Sequence, residues 1–227
     1  MKIPHFLLLA AACLFFAGCL PESINPLSTP ATSAIDPRFE GVYQQVAKDK
    51  NANATKDGSG FWHFHYRGAS DSAQGVRRTT TWLEIVNIGH EPKGGLETAR
   101  YHALATKIAG HDYLSFIELP QELAYANFSG QLCNGAKKSP LTYSFARYEV
   151  TWRGDLRIWL ANESAFVVAV KAGKLRGKVT TSKFGDSVTL TDTTAHLAAF
   201  IAAGDPGKLF DTEPMTFRRL SAANARR

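Results

Sequence analysis

The chain has 227 residues, of which 44% are hydrophobic, 11% aromatic and 20% charged, and its formal net charge is +6. This is the composition of an ordinary globular protein long enough for one domain with a sizeable core, so a second domain is not needed. The basic charge favours anionic surroundings in general, but no basic run is interleaved with aromatic side chains, and nucleic-acid binding is not expected.

The N-terminal segment is predicted to be an export signal. Lys2 supplies one positive charge, and residues 6–17 are continuously apolar. This run has the length of a secretory hydrophobic region and is too short to span a bilayer as a helix. Residues 1–18 are therefore interpreted as a signal peptide.

The end of the signal, Phe16-Ala17-Gly18-Cys19, resembles the lipobox of bacterial, in particular proteobacterial, lipoproteins. The resemblance implies that Cys19 receives a diacylglycerol and that signal peptidase II cuts before it, so that acyl chains such as palmitate anchor the domain. Two alternatives stay open. Cys13 is a rival acceptor, although its use would leave an apolar mature terminus, and the segment could be an ordinary secretory signal in which Cys19 is incidental.

The residues around the acceptor bear on location and redox state. Leu20 and Pro21 follow Cys19 without an Asp in second position, which by resemblance to enterobacterial sorting implies the outer membrane, with the domain facing the periplasm. Cleavage removes Lys2 and leaves a formal charge of +5. Once Cys19 is acylated, Cys133 is the remaining thiol, and no intramolecular disulfide is expected.

Three further segments follow the signal. Residues 19–38 are rich in Pro, Ser and Thr, and are predicted to be the lipidated Cys and a flexible tether. A single β-rich domain is predicted over 39–221. Residues 222–227 form a basic tail.

Alternation of apolar and polar residues predicts strands in most of this domain. In 60–67, Trp62, Phe64 and Tyr66 share the predicted core face, while His63 and His65 share the opposite face. The other predicted strands are 40–46, 79–88, 97–108, 113–117, 142–152, 156–160, 188–190 and 215–220.

Two short helices are predicted near the C-terminus. Capping residues favour a helix over 163–172, although the β-branched pair Val167-Val168 leaves a buried strand as an alternative. A second helix is predicted after the capping residues Asp192, Thr193 and Thr194, with a stop at Gly204 and one further turn after it. Residues 174–178 are interpreted as a basic link.

Strands in hairpin succession predict an α+β, mainly β fold. The expected architecture is an antiparallel meander that forms a curled sheet or a small barrel, with two short helices near the C-terminus. Its general shape is similar to lipocalin-like barrels.

Few side chains suggest chemistry. His63 and His65 have the spacing of two metal ligands on one strand face, with His102 or His111 as a third, but hydrogen-bonded surface histidines are the favoured interpretation and no metal or other cofactor is assigned. Glu84 and Glu149 could form a carboxylate pair, yet nearby arginines favour ion pairs. The chain lacks a Gly-x-Ser-x-Gly motif, and we do not expect an enzyme.

The aromatic residues are the most suggestive group. A barrel that carries an apolar ligand would be lined by such side chains, although a filled core would use the same ones. The candidate ligand-binding residues are Trp62, Phe64, Tyr66, Trp82 and Trp152.

The sequence thus predicts a lipid-anchored cell-envelope protein that acts as a binding or structural module. Its expected partners are the membrane, through the anchor, and an envelope protein or anionic envelope component. A lipocalin-like carrier of a small apolar ligand and a periplasmic hydrolase with a scattered site are the alternatives.

Overall fold

The structure is a computed structural model that describes residues 20–46, 60–71, 76–90, 96–119 and 142–220. The signal peptide, Cys19, Cys133 and the basic tail lie outside these residues. The strands of the described ranges are β1 (Glu22–Ser23), β2 (Gly41–Gln45), β3 (Phe61–Asp71), β4 (Val76–His90), β5 (Leu96–Ile108), β6 (His111–Glu118), β7 (Ser144–Val150), β8 (Leu156–Leu160), β9 (Gly177–Ser182), β10 (Gly185–Leu190) and β11 (Met215–Arg219). The helices are α1 (Glu163–Lys171), α2 (Thr194–Ala203) and α3 (Pro206–Leu209), and a 3₁₀ turn, Pro37–Phe39, precedes β2.

Eight of the strands form a closed antiparallel barrel. Strands β2 to β8 follow one another around it in chain order, and β11 closes it by pairing with both β8 and β2. Successive strands pair as antiparallel hairpins, as predicted: Glu84 on β4 lies opposite His102 on β5, and Glu149 on β7 lies opposite Arg157 on β8. The predicted mainly β fold with a small lipocalin-like barrel and short late helices is confirmed.

The alternation in each strand decides which side chains enter the barrel, because successive residues of a strand point to opposite faces. On β3, Phe64 and Tyr66 are buried in the barrel core, with Trp62 half-buried beside them. His63 and His65 lie on the outer face, as the sequence predicts. The barrel core is therefore aromatic.

A second layer covers the outer face of β6 and β7. It consists of the three helices and a small sheet with the strand order β1-β10-β9. Its core includes Phe166 of α1, whose ring lies 6.2 Å from that of Phe145 on β7, and Phe210, whose ring lies 5.3 Å from that of Tyr113 on β6. All of this layer except β1 is inserted between β8 and β11.

Local sequence explains most of this layer. Helix α1 begins where the Asn162 side chain accepts a hydrogen bond from the backbone N–H of Ala165, and ends before Gly173, which has a positive φ of 69°. These end signals outweigh the β-branched residues inside. The basic link predicted over 174–178 is wrong at its end, because β9 begins at Gly177. Strand β9 was missed because most of its side chains are exposed Lys, Thr and Ser, which produce no alternation of apolar and polar residues.

The tether predicted over 19–38 does not match the structure of residues 20–38. Strand β1 pairs with β10, and the backbone N–H of Leu27 donates to Ser115 Oγ at 2.8 Å. Further along, the N–H of Ala34 donates to the carbonyl of Ala105 on β5 at 3.0 Å. Backbone hydrogen bonds and the buried Leu27 side chain hold this segment against the domain.

The same segment joins the two cores. Leu27 is packed in the core of the second layer, whereas Phe39, twelve residues later, is packed in the barrel core. We call residues 20–39 the N-terminal strap. Because it packs in both cores, the strap is part of the folded domain.

Candidate functional site

The barrel interior is the first candidate, and its middle is filled. Tyr43, Phe64, Leu83 and Phe217 point inward and are at most 1% exposed. The ring of Phe64 lies 5.3 Å from that of Tyr43 and 6.4 Å from that of Phe217, in edge-on geometry. Such pairs interlock, as in the interiors of small closed barrels.

Two of the five candidate ligand-binding residues lie elsewhere. Trp82 lies on the outer face of β4, where its ring is 6.1 Å from that of His102. Trp152 lies in the turn after β7 and is 87% exposed. Both predictions of an interior position are wrong, since Trp82 has the outward parity of its strand and Trp152 follows the last inward residue of β7.

One part of the interior is only half-buried. Trp62 stacks on Tyr101 at a ring distance of 6.3 Å, and Tyr101 meets Phe116 edge-on at 6.3 Å. The indole Nε1 of Trp62 is buried and has no hydrogen-bond partner among the described residues. We call Trp62, Tyr101 and Phe116 the aromatic cluster. A buried donor of this kind costs free energy unless it meets an acceptor.

A different part of the interior is closed by the strap. Phe39 is fully buried, and its ring lies 4.3 Å from that of Tyr148 and 5.7 Å from that of Phe64. Just before it, the backbone N–H of Asp36 donates to the Tyr66 hydroxyl at 2.7 Å. We call Phe39 and the polar contacts of Asp36 the plug.

The Asp36 carboxylate is the centre of the plug's polar contacts. It accepts hydrogen bonds from the Tyr148 hydroxyl at 3.0 Å and from Arg38 Nη2 at 2.7 Å, and Arg38 also contacts Asp112 at 3.2 Å. The sequence analysis missed this site, because Asp36 and Arg38 lie in the predicted tether. A short Asp-Pro-Arg-Phe sequence before a strand was the only available signal.

The charges in the plug favour a structural role. Burial acts to raise the pKa of Asp36, but the hydrogen bonds from Arg38 and Tyr148 outweigh it and hold the pKa below its ordinary value. Burial raises the pKa of Tyr66 to about 12 and, with the nearby Asp36 charge, also raises the pKa of Tyr148. At neutral pH the phenols are therefore neutral donors and acceptors around an ionised carboxylate.

The outer face carries the histidines. His65 Nε2 lies 3.2 Å from Glu84 Oε2, and Arg100 Nη1 lies 3.8 Å from Glu84 Oε1. The His63 and His65 rings stack at 4.6 Å, and the register places His102 across from Glu84. Burial, then the neighbouring His65, lowers the pKa of His63. The outer face of β3 and β4 therefore holds two stacked imidazoles, those of His63 and His65, and the Glu84 carboxylate is in contact with His65.

The contacts among these side chains are an ion pair of Arg100 with Glu84, a polar contact of His65 with Glu84, and ring stacking of the two histidines. His63 and His65 have nearly parallel rings, inclined by 20°, and within the described part of the chain no group of three His, Cys, Asp or Glu side chains is placed to hold a metal ion. Glu84 and Glu149 are not brought together. Glu149 lies on β7 and pairs with Arg157 at 3.9 Å, as the sequence favoured.

A second Asp and His pair lies in the outer layer. Asp192 is 3% exposed and accepts hydrogen bonds from the backbone N–H of Arg176 and from His196 Nδ1, which is 2.8 Å away. Burial acts to raise the pKa of Asp192, but these two donors hold it below its ordinary value. The carboxylate links the start of β9 to the first turn of α2, which is a structural arrangement.

Large apolar side chains are exposed at two turns. Phe184, between β9 and β10, is 81% exposed with Lys183 Nζ 4.9 Å above its ring. Trp152 lies in the turn between β7 and β8, under the guanidinium of Arg153 at 4.7 Å. None of the helices in the described ranges is long and apolar enough to cross a membrane. These turns are candidate contact surfaces.

The fold defines a small, closed antiparallel barrel with a packed interior and a covering layer of helices and a small sheet. Comparison with protein-family models, with curated proteins and with solved structures finds no match to this chain.

Proposed function

We propose that this chain is a lipid-anchored protein of the bacterial cell envelope that binds other envelope components through its surface. The observation that carries the binding mode is the filled barrel, in which Tyr43, Phe64 and Phe217 occupy the middle of the interior. The anchor rests on Cys19 and the three residues before it.

The packed interior supports surface binding over transport of a ligand. A carrier of drug-sized ligands needs a cavity of about 300–1,000 Å³. Here Phe39 closes one part of the interior and is fully buried. Removing the plug to admit a ligand would also break the hydrogen bonds of Asp36 with Tyr66 and Tyr148. The barrel then serves as a rigid scaffold for its outer face and turns.

The strap supports close attachment to the membrane. Pro21 is already buried and β1 begins at Glu22, so only a short piece of chain separates Cys19 from the folded domain. A short extended chain of three residues spans at most about 10 Å. The proposal places the domain at the surface of the outer membrane, facing the periplasm, and assigns it no reaction.

The experiment that tests the anchor is intact mass spectrometry of the full chain expressed in a proteobacterium. Wild-type protein is expected in the membrane fraction with the mass of the chain from Cys19 plus its acyl groups. Cys19→Ser is expected to lose this mass and leave the membrane fraction. Cys13→Ser is the matched control and is expected to behave as wild type. Wild-type chain with an unmodified mature terminus would refute the lipid anchor.

A second candidate, carriage of a small apolar ligand, is favoured by one observation. The buried Nε1 of Trp62 lacks a partner among the described residues, within a half-buried aromatic cluster. A small ligand with one acceptor would satisfy this N–H. Native mass spectrometry of the purified chain is the test, because a stoichiometric extra mass that Trp62→Phe abolishes would support a carrier. A bare mass would exclude tight carriage.

A further inference from the structure

The turn between β9 and β10 presents an apolar side chain with no place in either core. Phe184 is 81% exposed, although Val188 on the same hairpin is 2% exposed and packed in the outer layer. The four residues 182–185 are all exposed. We call Lys183 and Phe184 the hairpin tip. A single exposed Phe is unremarkable on a surface, so its surroundings decide what it does.

The surroundings of the tip are basic. Residues 171–186 contain five cations and one acidic residue, Asp186, which pairs with Lys171 at 2.6 Å. Each cation belongs to an exposed residue, and these are Lys171, Lys174, Arg176, Lys178 and Lys183. The combination of an exposed aromatic ring and a local charge of +4 fits the interface of an anionic lipid layer, where the ring enters the headgroup region and the cations meet phosphates.

The pairing of β1 with β10 limits how far the attachment point can lie from the tip. Strand β1 is parallel to β10, with Glu22 opposite Thr189 and Ser23 opposite Leu190. The beginning of β1 therefore lies opposite Thr189, near the end of β10, and β1 runs in the same direction as β10, away from the tip. From Thr189 to Gly185 is four strand residues, or about 13 Å. Leu20 and Pro21 separate Glu22 from Cys19, and these three residue steps span at most about 10 Å, so the anchor and the tip lie close enough to contact one membrane surface.

We propose that the hairpin tip is a second membrane contact, in which Phe184 enters the headgroup region of the anionic leaflet that holds the acyl chains of Cys19. The inference rests on the proposed lipid anchor and extends it to the orientation of the domain. Two contacts on one side, the anchor and the tip, fix the small sheet toward the membrane. The barrel face made by β2, which is opposite β6 in the strand order, then points away.

Phe184→Trp in the acylated full chain tests this contact. The protein is reconstituted into vesicles of phosphatidylethanolamine and phosphatidylglycerol, with and without bromine on the acyl chains, and the tryptophan emission is compared with that of wild type. A ring at the boundary of headgroups and acyl chains lies within quenching range, so about half of the added emission is expected to disappear.

Val42→Trp is the matched control. Val42 is a 40% exposed apolar residue on β2, and its added emission is expected to stay unquenched. Adding Lys183→Glu to Phe184→Trp is expected to weaken the quenching, since one cation near an anionic surface changes its occupancy about fivefold. Circular dichroism checks that each variant folds.

The failure of the tip and the failure of the anchor give different results. If Phe184→Trp stays unquenched while the acylated protein is bound to the vesicles, the tip proposal is overturned, and the exposed ring is left for a protein partner. Equal quenching of Phe184→Trp and Val42→Trp overturns it as well, because the orientation is then not fixed. A missing acyl mass overturns the anchor, and this is measured before reconstitution.

Discussion

The ring of Phe39 lies 4.3 Å from the ring of Tyr148, and so joins the end of the N-terminal strap to the inner face of β7. The two residues are far apart in sequence, and the Tyr148 hydroxyl also donates to the Asp36 carboxylate. Closure of the barrel interior thus depends on a segment that precedes the first barrel strand. A substitution that breaks the contact between Phe39 and Tyr148 is therefore expected both to destabilise the protein and to open the barrel interior.

Truncation of Phe39 is expected to destabilise the protein strongly. Phe39→Ala removes a fully buried ring from the barrel core and should lower the free energy of unfolding by about 3–5 kcal/mol. The measurement is urea unfolding of the purified chain followed by circular dichroism. Phe184→Ala is the control and should change stability by no more than about 0.5 kcal/mol, because its ring is exposed. Equal effects of both substitutions would contradict the plug.

The strap can be tested separately at Leu27. Leu27→Ala removes a side chain buried in the outer core and should cost about 2–5 kcal/mol of unfolding free energy. Ile35→Ala lies in the same strap at a 42% exposed position and should have little effect. Limited proteolysis gives a second measurement, since Leu27→Ala should expose the strap to cleavage. A wild-type chain cut readily within 20–38 would restore the tether interpretation.

The period of the apolar residues was sufficient to predict an antiparallel meander of strands, but not to decide between a curled sheet and a closed barrel. Trp62, Phe64 and Tyr66 alternate with two histidines, and this two-residue period fixes the inner face of β3 wherever its neighbours lie. The predicted hairpins followed from turn residues between such runs. The helices followed from caps such as Asn162 and from the stop at Gly204.

The plug and the strap could not be predicted in this way. A Pro-, Ser- and Thr-rich segment has no period, and its contacts are remote, as with the hydrogen bond between Asp36 and Tyr148, 112 residues apart. Composition indicates only whether a segment would be ordered by itself. The strap is ordered because it packs against the surface of the barrel and of the outer layer. Aromatic content alone also misplaced Trp152, because it carries no information about which residues face inward.

The turn between β5 and β6 contains the one non-glycine residue of the described ranges with a positive φ. Ala109 has a φ of 48° and is followed by Gly110 at 84°. Two left-handed residues in a two-residue hairpin favour Asn-Gly, so Ala109→Asn is expected to stabilise the protein by about 0.5–1 kcal/mol. Thermal unfolding provides the measurement, and the expected change is a higher Tm.

Gly110→Ala is the opposing variant at the same turn. Open space surrounds the position where its Cβ would lie, so any loss reflects backbone conformation and not a clash. It is expected to lower stability by about 1 kcal/mol or more. If Ala109→Asn lowered the Tm, or Gly110→Ala left it unchanged, the left-handed backbone conformation of residues 109 and 110 would be refuted.

Acid should weaken the plug through Asp36. The folded state holds the pKa of Asp36 below its ordinary value of 3.8, so the folded protein favours the ionised carboxylate. The contribution of the Asp36 carboxylate to stability is complete above about pH 5, and it is lost as the pH falls through 3.8 toward the lower folded pKa.

Asp36→Asn should lower the unfolding free energy at pH 7 by about 1.5–3 kcal/mol, the range for hydrogen bonds to a charged group. The measurement is urea unfolding of wild type and Asp36→Asn at intervals from pH 7 to pH 2.5. The difference between them should shrink as the pH falls below about 4, because protonated Asp36 resembles Asn. Tyr148→Phe is the matched variant, which keeps the aromatic ring beside Phe39 and removes one donor to the carboxylate, and its acid loss should be smaller than that of wild type. A constant difference between wild type and Asp36→Asn across this range would show that the Asp36 carboxylate is not stabilised by these donors.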